Sequence, residues 1–188
     1  APNVNGAIEG GNSEISGKFT VEEAQDLANI LKSGKLDAPA KIVAEIGCNH
    51  RGDLETAKEM IRVAADYCKV DFVKFQKRTV RELLTPEEYL APHPNPQHSY
   101  GKTYGEHREV LEFSLEQHRE LVRTCKQAGV KYATSVWDLT SAREMIALGP
   151  DYLKVPSACN LNFDLLSLLS REFEGDIHIS LGMTTQAE

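Results

Sequence analysis

"KIVAEIGCNHRGD" (residues 41–53), followed by "VDFVKFQK" (residues 70–77), sets the architecture. In the first stretch an apolar run, Ile42–Gly47, carries an acid, Glu45, to the end of a strand and is then broken by Gly47. In the second, alternation puts Phe72, Lys74 and Gln76 on one strand face and Val73 and Phe75 on the other. Between the two, Leu54, Ala57, Met60, Ile61, Ala64 and Cys68 form one helical stripe over Leu54–Cys68, behind Asp53 as N-cap.

The same unit recurs along the chain. Strand runs are expected at Ile42–Gly47, Asp71–Gln76, Lys131–Val136, Asp151–Val155 and Ile177–Leu181. Ser114 and Gln117 read as a capping box for a helix stopped by Gly129, Ser141 and Glu144 as another before Gly149, and Asn162–Arg171 as a further helix. Strands alternating with helices through short loops require parallel pairing with right-handed crossovers. The chain is therefore α/β, either doubly wound or a (β/α)8 barrel. No glycine-rich GxGxxG loop follows the opening strand, and polar groups end several strands, which favours a TIM-type barrel with its site at the carboxyl ends. About five βα units are present where a closed barrel has eight, so the expected fold is a partial (β/α)8 barrel, an incomplete fragment, with a helix-containing N-terminal extension.

Composition narrows the function classes. The 188 residues are 41% apolar and 26% charged, with a formal net charge of -7. An acidic surface does not suit nucleic acid or anionic lipid, both of which reward basic patches. Cys48, Cys68, Cys125 and Cys159 are dispersed without a CxxC pair, which excludes a zinc knuckle and a dense disulfide framework. No run reaches the roughly 20 apolar residues that span a bilayer. The expectations are a cytoplasmic protein with small-molecule partners, no nucleic acid and no membrane.

Strand alternation also nominates the chemistry. Glu45, Lys74 and Lys154 sit at strand positions that face inward near the top of a barrel, with hydroxyls from Thr134 or Ser135, Ser157 and Ser180 around them. Charges placed together at such a depth are costly unless paired with each other or with a ligand. Two ammonium groups with serines suit an anion carrying phosphate and carboxylate, and Glu45 supplies a proton donor or acceptor. A structural Glu–Lys ion pair is the alternative for any one of these residues. Asn49, His50 and Asp53 are expected to brace the turn after Gly47. His118 is expected on an exposed helix face and His178 one layer below Ser180 as a hydrogen-bonded core histidine. The connection from Lys77 to Phe113 is long against the usual ~2–6 residues, and reads as a lid with its own capping box at Thr85 and Glu88. His93, His98 and His107 within it match no metal-ligand spacing.

Successive blocks, "IVAEIGCNHRGDLETAKEMIRVAA", "VDFVKFQK", "HSYGKTYGEHREVLEFS", "YATSVWD", "LKVPSACN" and "HISLGMTT", resemble the sialic acid synthase (N-acetylneuraminate synthase) family over residues 41–188. The resemblance implies a (β/α)8 barrel that condenses phosphoenolpyruvate with N-acetylmannosamine or a related N-acyl sugar, a C–C bond-forming transferase reaction. It implies Glu45 as the catalytic acid/base, Lys74, Ser135, Lys154, Ser157 and Ser180 as phosphoenolpyruvate-binding residues, and Gln76 and Tyr104 as sugar-binding residues. It also implies a divalent metal, Mn or Mg, held by histidines on later strands absent from this chain, and a homodimer. The chain departs from the family pattern at Ala158 and Cys159, where many members carry an acid, and at Leu181, where the usual block has Thr. Two other readings stand beside this one: a Schiff-base aldolase using Lys154 or Lys74, and a non-catalytic export-machinery segment. The last arises because residues 1–45, containing "ISGKFTVEEAQDLANILKSGKL" and "APAKIVAE", resemble a segment of SecD. Thr20 with Glu23 forms a capping box there, Gly34 is a helix stop, and the division into domains is expected at residues 40 and 41.

Overall fold

The computed structural model describes Thr20 and residues 41–182; the helix expected over residues 19–34 and the "MTTQAE" end lie outside them. Five strands, β1 (Val43–Gly47), β2 (Phe72–Lys77), β3 (Lys131–Val136), β4 (Tyr152–Val155) and β5 (Asp176–Ile179), form one sheet. Its order is β1-β2-β3-β4-β5 and every pair is parallel. Sequential order with all-parallel pairing is an arc of a (β/α) barrel, and differs from a doubly wound sheet, whose strand order reverses.

The crossovers are helical. Strand β1 leads to α1 (Leu54–Asp66), and β2 to a compound segment with α2 (Val80–Leu83), α3 (Pro86–Leu90) and α4 (Tyr104–Val110) before α5 (Leu115–Ala128). Strand β3 leads to α6 (Leu139–Leu148) and β4 to α7 (Phe163–Glu172). Asp53 caps α1 by accepting the Thr56 N–H at 2.5 Å. Capping boxes start α3 at Thr85 and α5 at Ser114, and α5 and α6 end at Gly129 and Gly149. The N-cap of α6 differs from expectation. It is Asp138, whose Oδ1 accepts the Ser141 N–H at 2.7 Å while Oδ2 takes the Ser141 hydroxyl at 2.8 Å. Ser141 thus serves as donor to the cap, one turn inside the helix.

The two faces of the sheet have different chemistry. Outward, Ile46, Val73, Phe75 and Tyr132 pack against Ala57, Ile61 and Ala64 of α1 and Leu121 and Cys125 of α5. Val136, Leu153 and Val155 pack against Met145 of α6 and Leu165 and Leu169 of α7. Burial on this scale drives the layer together, at about 25 cal/mol per Å² of apolar surface. Inward, Phe72, Ala133 and Tyr152 form a small floor, with the Phe72 and Tyr152 rings 5.3 Å apart and edge-on. Beside β5, Ile179 and Leu181 are exposed, as is Phe163 at the start of α7. Among the described residues no helix is long and apolar enough to cross a membrane.

Two histidines lie elsewhere than their sequence pattern indicated, and the choice between Thr134 and Ser135 is resolved. His118 is fully buried, its Nδ1 2.6 Å from the Tyr132 hydroxyl, because it shares the inward stripe of α5 with Leu121 and Cys125. Thr134 is also fully buried and aligns with Phe75 on the helix-packed face, which leaves Ser135 as the inward hydroxyl. His178 is exposed and stacks on Tyr152 at 4.3 Å instead of entering a core.

Candidate active site

At the end of β1 the register slips by one residue between Glu45 and Gly47, and Gly47 takes φ +56°. That left-handed turn frees the chain from the sheet, and an L side chain there would be strained. Space is a second reason for glycine: an added Cβ would lie 3.3 Å from Glu45 Oε1 and 3.4 Å from Gln76 Nε2. The turn is braced as expected. Asn49 Nδ2 donates to the Ile46 carbonyl at 3.0 Å, and His50, 2% exposed, accepts the Gly52 N–H on Nδ1 at 3.0 Å and stacks on Phe113 at 4.1 Å. Burial pushes the His50 pKa down to about 4, with its backbone contact to Gly47 and the charge of Asp53 opposing. His50 is a neutral structural imidazole at pH 7.

On the inner face, Glu45 of β1 aligns with Lys74 of β2 and their side chains form an ion pair. Lys74 is 4% exposed, and its Nζ lies 3.3 Å from Ser135 Oγ on β3. One row higher, Gln76, Ser135, Lys154 and His178 align across β2 to β5. Lys154 therefore stands on the strand next to Ser135. Desolvation lowers the His178 pKa; Asp176 opposes this, and the positive fields of Lys154, Lys41 and Lys74 add to it.

Beyond β4, Ser157 Oγ donates to Ser180 Oγ at 2.9 Å, and Asn160 Nδ2 donates to the Ser180 carbonyl at 3.0 Å. Two expected serines are thus paired directly, and Asn160, buried and unforeseen, holds the second. Gln76 lies beside Glu45 across Gly47. Tyr104 is placed differently. It opens α4 in the lid, 5.9 Å from the His93 ring and 6.3 Å from His107, with its hydroxyl taking Arg108 Nη1 at 3.5 Å. The expected residues accordingly fall into a Glu45–Lys74–Ser135 group with Gln76 and Lys154 at its edge, a Ser157–Ser180 pair, and Tyr104 on the lid.

The lid between Lys77 and Phe113 is a folded unit. Gly105 packs under Tyr89, where a Cβ would come within 2.1 Å of the ring, and Tyr89 donates its hydroxyl to Glu109 at 2.7 Å. Its start is tied to α6 by the Thr79 N–H, which donates to Asp138 Oδ2 at 2.7 Å. Its return is tied by Lys77, whose Nζ donates to the Phe113 carbonyl at 3.2 Å and pairs with Glu144 at 3.2 Å. Asp138, and Glu112, which accepts the Arg78 backbone N–H at 3.0 Å and pairs with its guanidinium, carry no expectation from the sequence. A D-x-x-S pattern ahead of α6 was the available signal for the first.

The divalent metal implied by the resemblance finds no ligand set here. Among the described residues no group of three or more His, Cys, Asp or Glu side chains converges, and Glu45 is already paired with Lys74. These side chains do not fit a metal centre, and their chemistry is that of ammonium, carboxylate, amide and hydroxyl groups.

Comparison with known proteins agrees with this layout. N-acetylneuraminate-9-phosphate synthase of Homo sapiens is 39% identical over 134 residues, covering 71% of this chain and 37% of that protein. The Drosophila melanogaster enzyme of the same name is 39% identical over 166 residues, covering 85% of this chain and 42% of that one. The chain thus spans about two fifths of the length of these relatives. The N-acetylneuraminic acid synthetase of Leptospira borgpetersenii, solved with citrate, superposes with a TM-score of 0.65 at 22% identity over 82% of this chain and 50% of that one, which is agreement in fold. Residues 1–38 match the SecDF P1 head subdomain, and Rickettsia conorii SecD is 50% identical over 62 residues, 31% of this chain and 12% of that protein. A profile of the NeuB family matches residues 60–188, more than half of the chain, from before the β2 lysine to the C-terminus. The chain that carries this lysine-lined parallel arc belongs to the NeuB family.

Proposed function

We propose that residues 41–188 form the opening part of a sialic acid synthase barrel, the part that binds phosphoenolpyruvate and supplies the acid/base for its condensation with N-acetylmannosamine or a related N-acyl sugar. The observation that carries this reading is a lysine ammonium, Lys74, held above an apolar floor by Glu45 and Ser135, with Lys154 two strands along the sheet on β4, in register with Ser135. Support comes also from the relatives named N-acetylneuraminate-9-phosphate synthase.

In this reading Lys74 and Lys154 neutralise the phosphate and carboxylate, while the hydroxyls of Ser135, Ser157 and Ser180 complete the hydrogen bonding. C3 of phosphoenolpyruvate attacks the sugar aldehyde, forming the C–C bond and leaving an alkoxide at the former aldehyde oxygen. Water adds at C2, its proton taken by the Glu45 carboxylate and passed to that alkoxide, and phosphate leaves with cleavage of the C2–O bond, carrying the remaining C2 hydroxyl proton. Atoms balance as phosphoenolpyruvate, aldehyde and water becoming a 2-keto acid sugar and inorganic phosphate. Gln76, beside Glu45, would meet the sugar, as would Tyr104 from the lid. A cytoplasmic setting and a homodimeric assembly belong to the same proposal.

The test is calorimetric titration of the chain with phosphoenolpyruvate, paired with borohydride treatment in the presence of pyruvate. Saturable one-to-one binding without a trapped adduct is the expected result. A reduced pyruvyl adduct on Lys154 or Lys74 would assign a Schiff-base aldolase, and absence of both binding and adduct would overturn the proposal.

A further inference from the structure

Arg78 lies two residues beyond Gln76 and is 7% exposed. Its guanidinium is surrounded. Nη2 donates to Gln76 Oε1 and lies 3.5 Å from Cys48 Sγ, Nη1 is 3.3 Å from Glu112 Oε1, and the Trp137 ring centroid is 4.8 Å from Cζ. Glu112 also accepts the Arg78 backbone N–H at 3.0 Å. The two side chains of the Arg78–Glu112 pair are 6% and 9% exposed, so both charges have been taken out of water. Burying such a pair gains little stability against an apolar replacement, and its use must be sought in what it positions.

The amide of Gln76 has two unlike ends. A guanidinium has donors and no acceptor, so the end that meets Arg78 must be the oxygen. The nitrogen then points the other way, toward Gly47 and Glu45, where a Cβ on Gly47 would lie 3.4 Å from it. Flipping the amide would set donor against donor beside a buried cation. We propose that Arg78 is a positioning residue: it locks the Gln76 amide with its NH2 facing the mouth, and through Glu112 makes that orientation depend on the lid's return segment. Resting on the reading of the mouth as a phosphoenolpyruvate and sugar site, this sets the specificity of Gln76, which can recognise only an acceptor oxygen on the sugar, a carbonyl or a hydroxyl lone pair.

The amide itself can be observed without any ligand. In 15N spectra of the full chain, with the Gln76 signals identified by their loss in Q76A, the side-chain NH2 should give two separated proton resonances. Their hydrogen exchange should be about ten-fold slower than that of the exposed Gln97 and Gln127, the size expected for a bond to a charged group. The difference should vanish in R78M and survive in R78K, which keeps a donor. With phosphoenolpyruvate present, R78M should weaken N-acetylmannosamine binding about ten-fold, and add nothing in the Q76A background, as a residue acting through another must. Gln76 signals in the wild type that exchange like those of Gln97 would overturn the proposal, as would equal losses from R78M with and without Gln76. Failure of phosphoenolpyruvate to bind would count against the parent reading alone, because the amide measurement needs no substrate.

Discussion

Neutralising either end of the Glu45–Lys74 pair should have unequal consequences, because the two ends are unequally buried. The Lys74 side chain is 5% exposed and that of Glu45 is 37% exposed. In K74M the remaining carboxylate can take up water and an apolar stem replaces a desolvated cation, so stability should stay within about 1 kcal/mol of wild type. In E45Q the ammonium stays buried and loses its counter-charge. At about 4 Å and an effective dielectric of about 20 that interaction is worth about 4 kcal/mol. Halving it for the solvent on the carboxylate gives a destabilisation of about 2 kcal/mol. Urea unfolding at pH 7 followed by fluorescence of Trp137, the single tryptophan, measures both. Phosphoenolpyruvate binding should invert the order. K74M should lose affinity at least about ten-fold, and E45Q, freed of a competing anion, should bind as tightly as wild type or tighter. If K74M is the less stable variant, or E45Q loses the anion as K74M does, the ammonium is not the buried anion-binding member and the reasoning fails.

Three further outcomes follow from the same geometry. Burial holds the His50 and His118 pKa values down to about 4 and about 3, below the unfolded value near 6.5, so the unfolded chain binds protons first as pH falls; stability should drop by about 1.4 kcal/mol per pH unit for each between pH 6 and 4, a slope that H118N roughly halves in urea titrations. D138A removes the cap of α6 and the acceptor for Thr79, and should cost about 3 kcal/mol by chemical denaturation, with faster hydrogen exchange at the Thr79 amide. G47A should destabilise by about 1–2 kcal/mol from its φ of +56° and move Glu45 away from Gln76, seen as a lower melting temperature.

The alternation of strand and helix was legible because each layer has a strong period. Val73 and Phe75 against Lys74 and Gln76, or Leu153 against Lys154, separate a helix-packed face from a mouth by period two alone. The stripe of α1 and the caps at Asp53, Ser114 and Thr85 rest on local hydrogen bonds that need no tertiary context. What failed needed the third dimension or a fuller use of the same rules. His118 occupies the inward stripe with Leu121 and Cys125, and polarity alone placed it outside; its partner, the Tyr132 hydroxyl, is 14 residues away in sequence. Ser141 looked like an N-cap until Asp138 took that place. His178 was placed in the core by its strand face alone, and it is exposed over Tyr152 in register with Lys154. Arg78 lies one step of alternation beyond Gln76, just past the end of β2, where strand periodicity no longer marks a face; Glu112, 34 residues on, has no local signal.

An anion-binding mouth of this kind requires Lys74 and Lys154 to share one anion. The most direct measurement is 15N NMR of the two lysine side chains during titration with phosphoenolpyruvate. Both ammonium signals should shift along one saturation curve with one dissociation constant. A shift of one alone, of neither, or of the two with separate constants would contradict it.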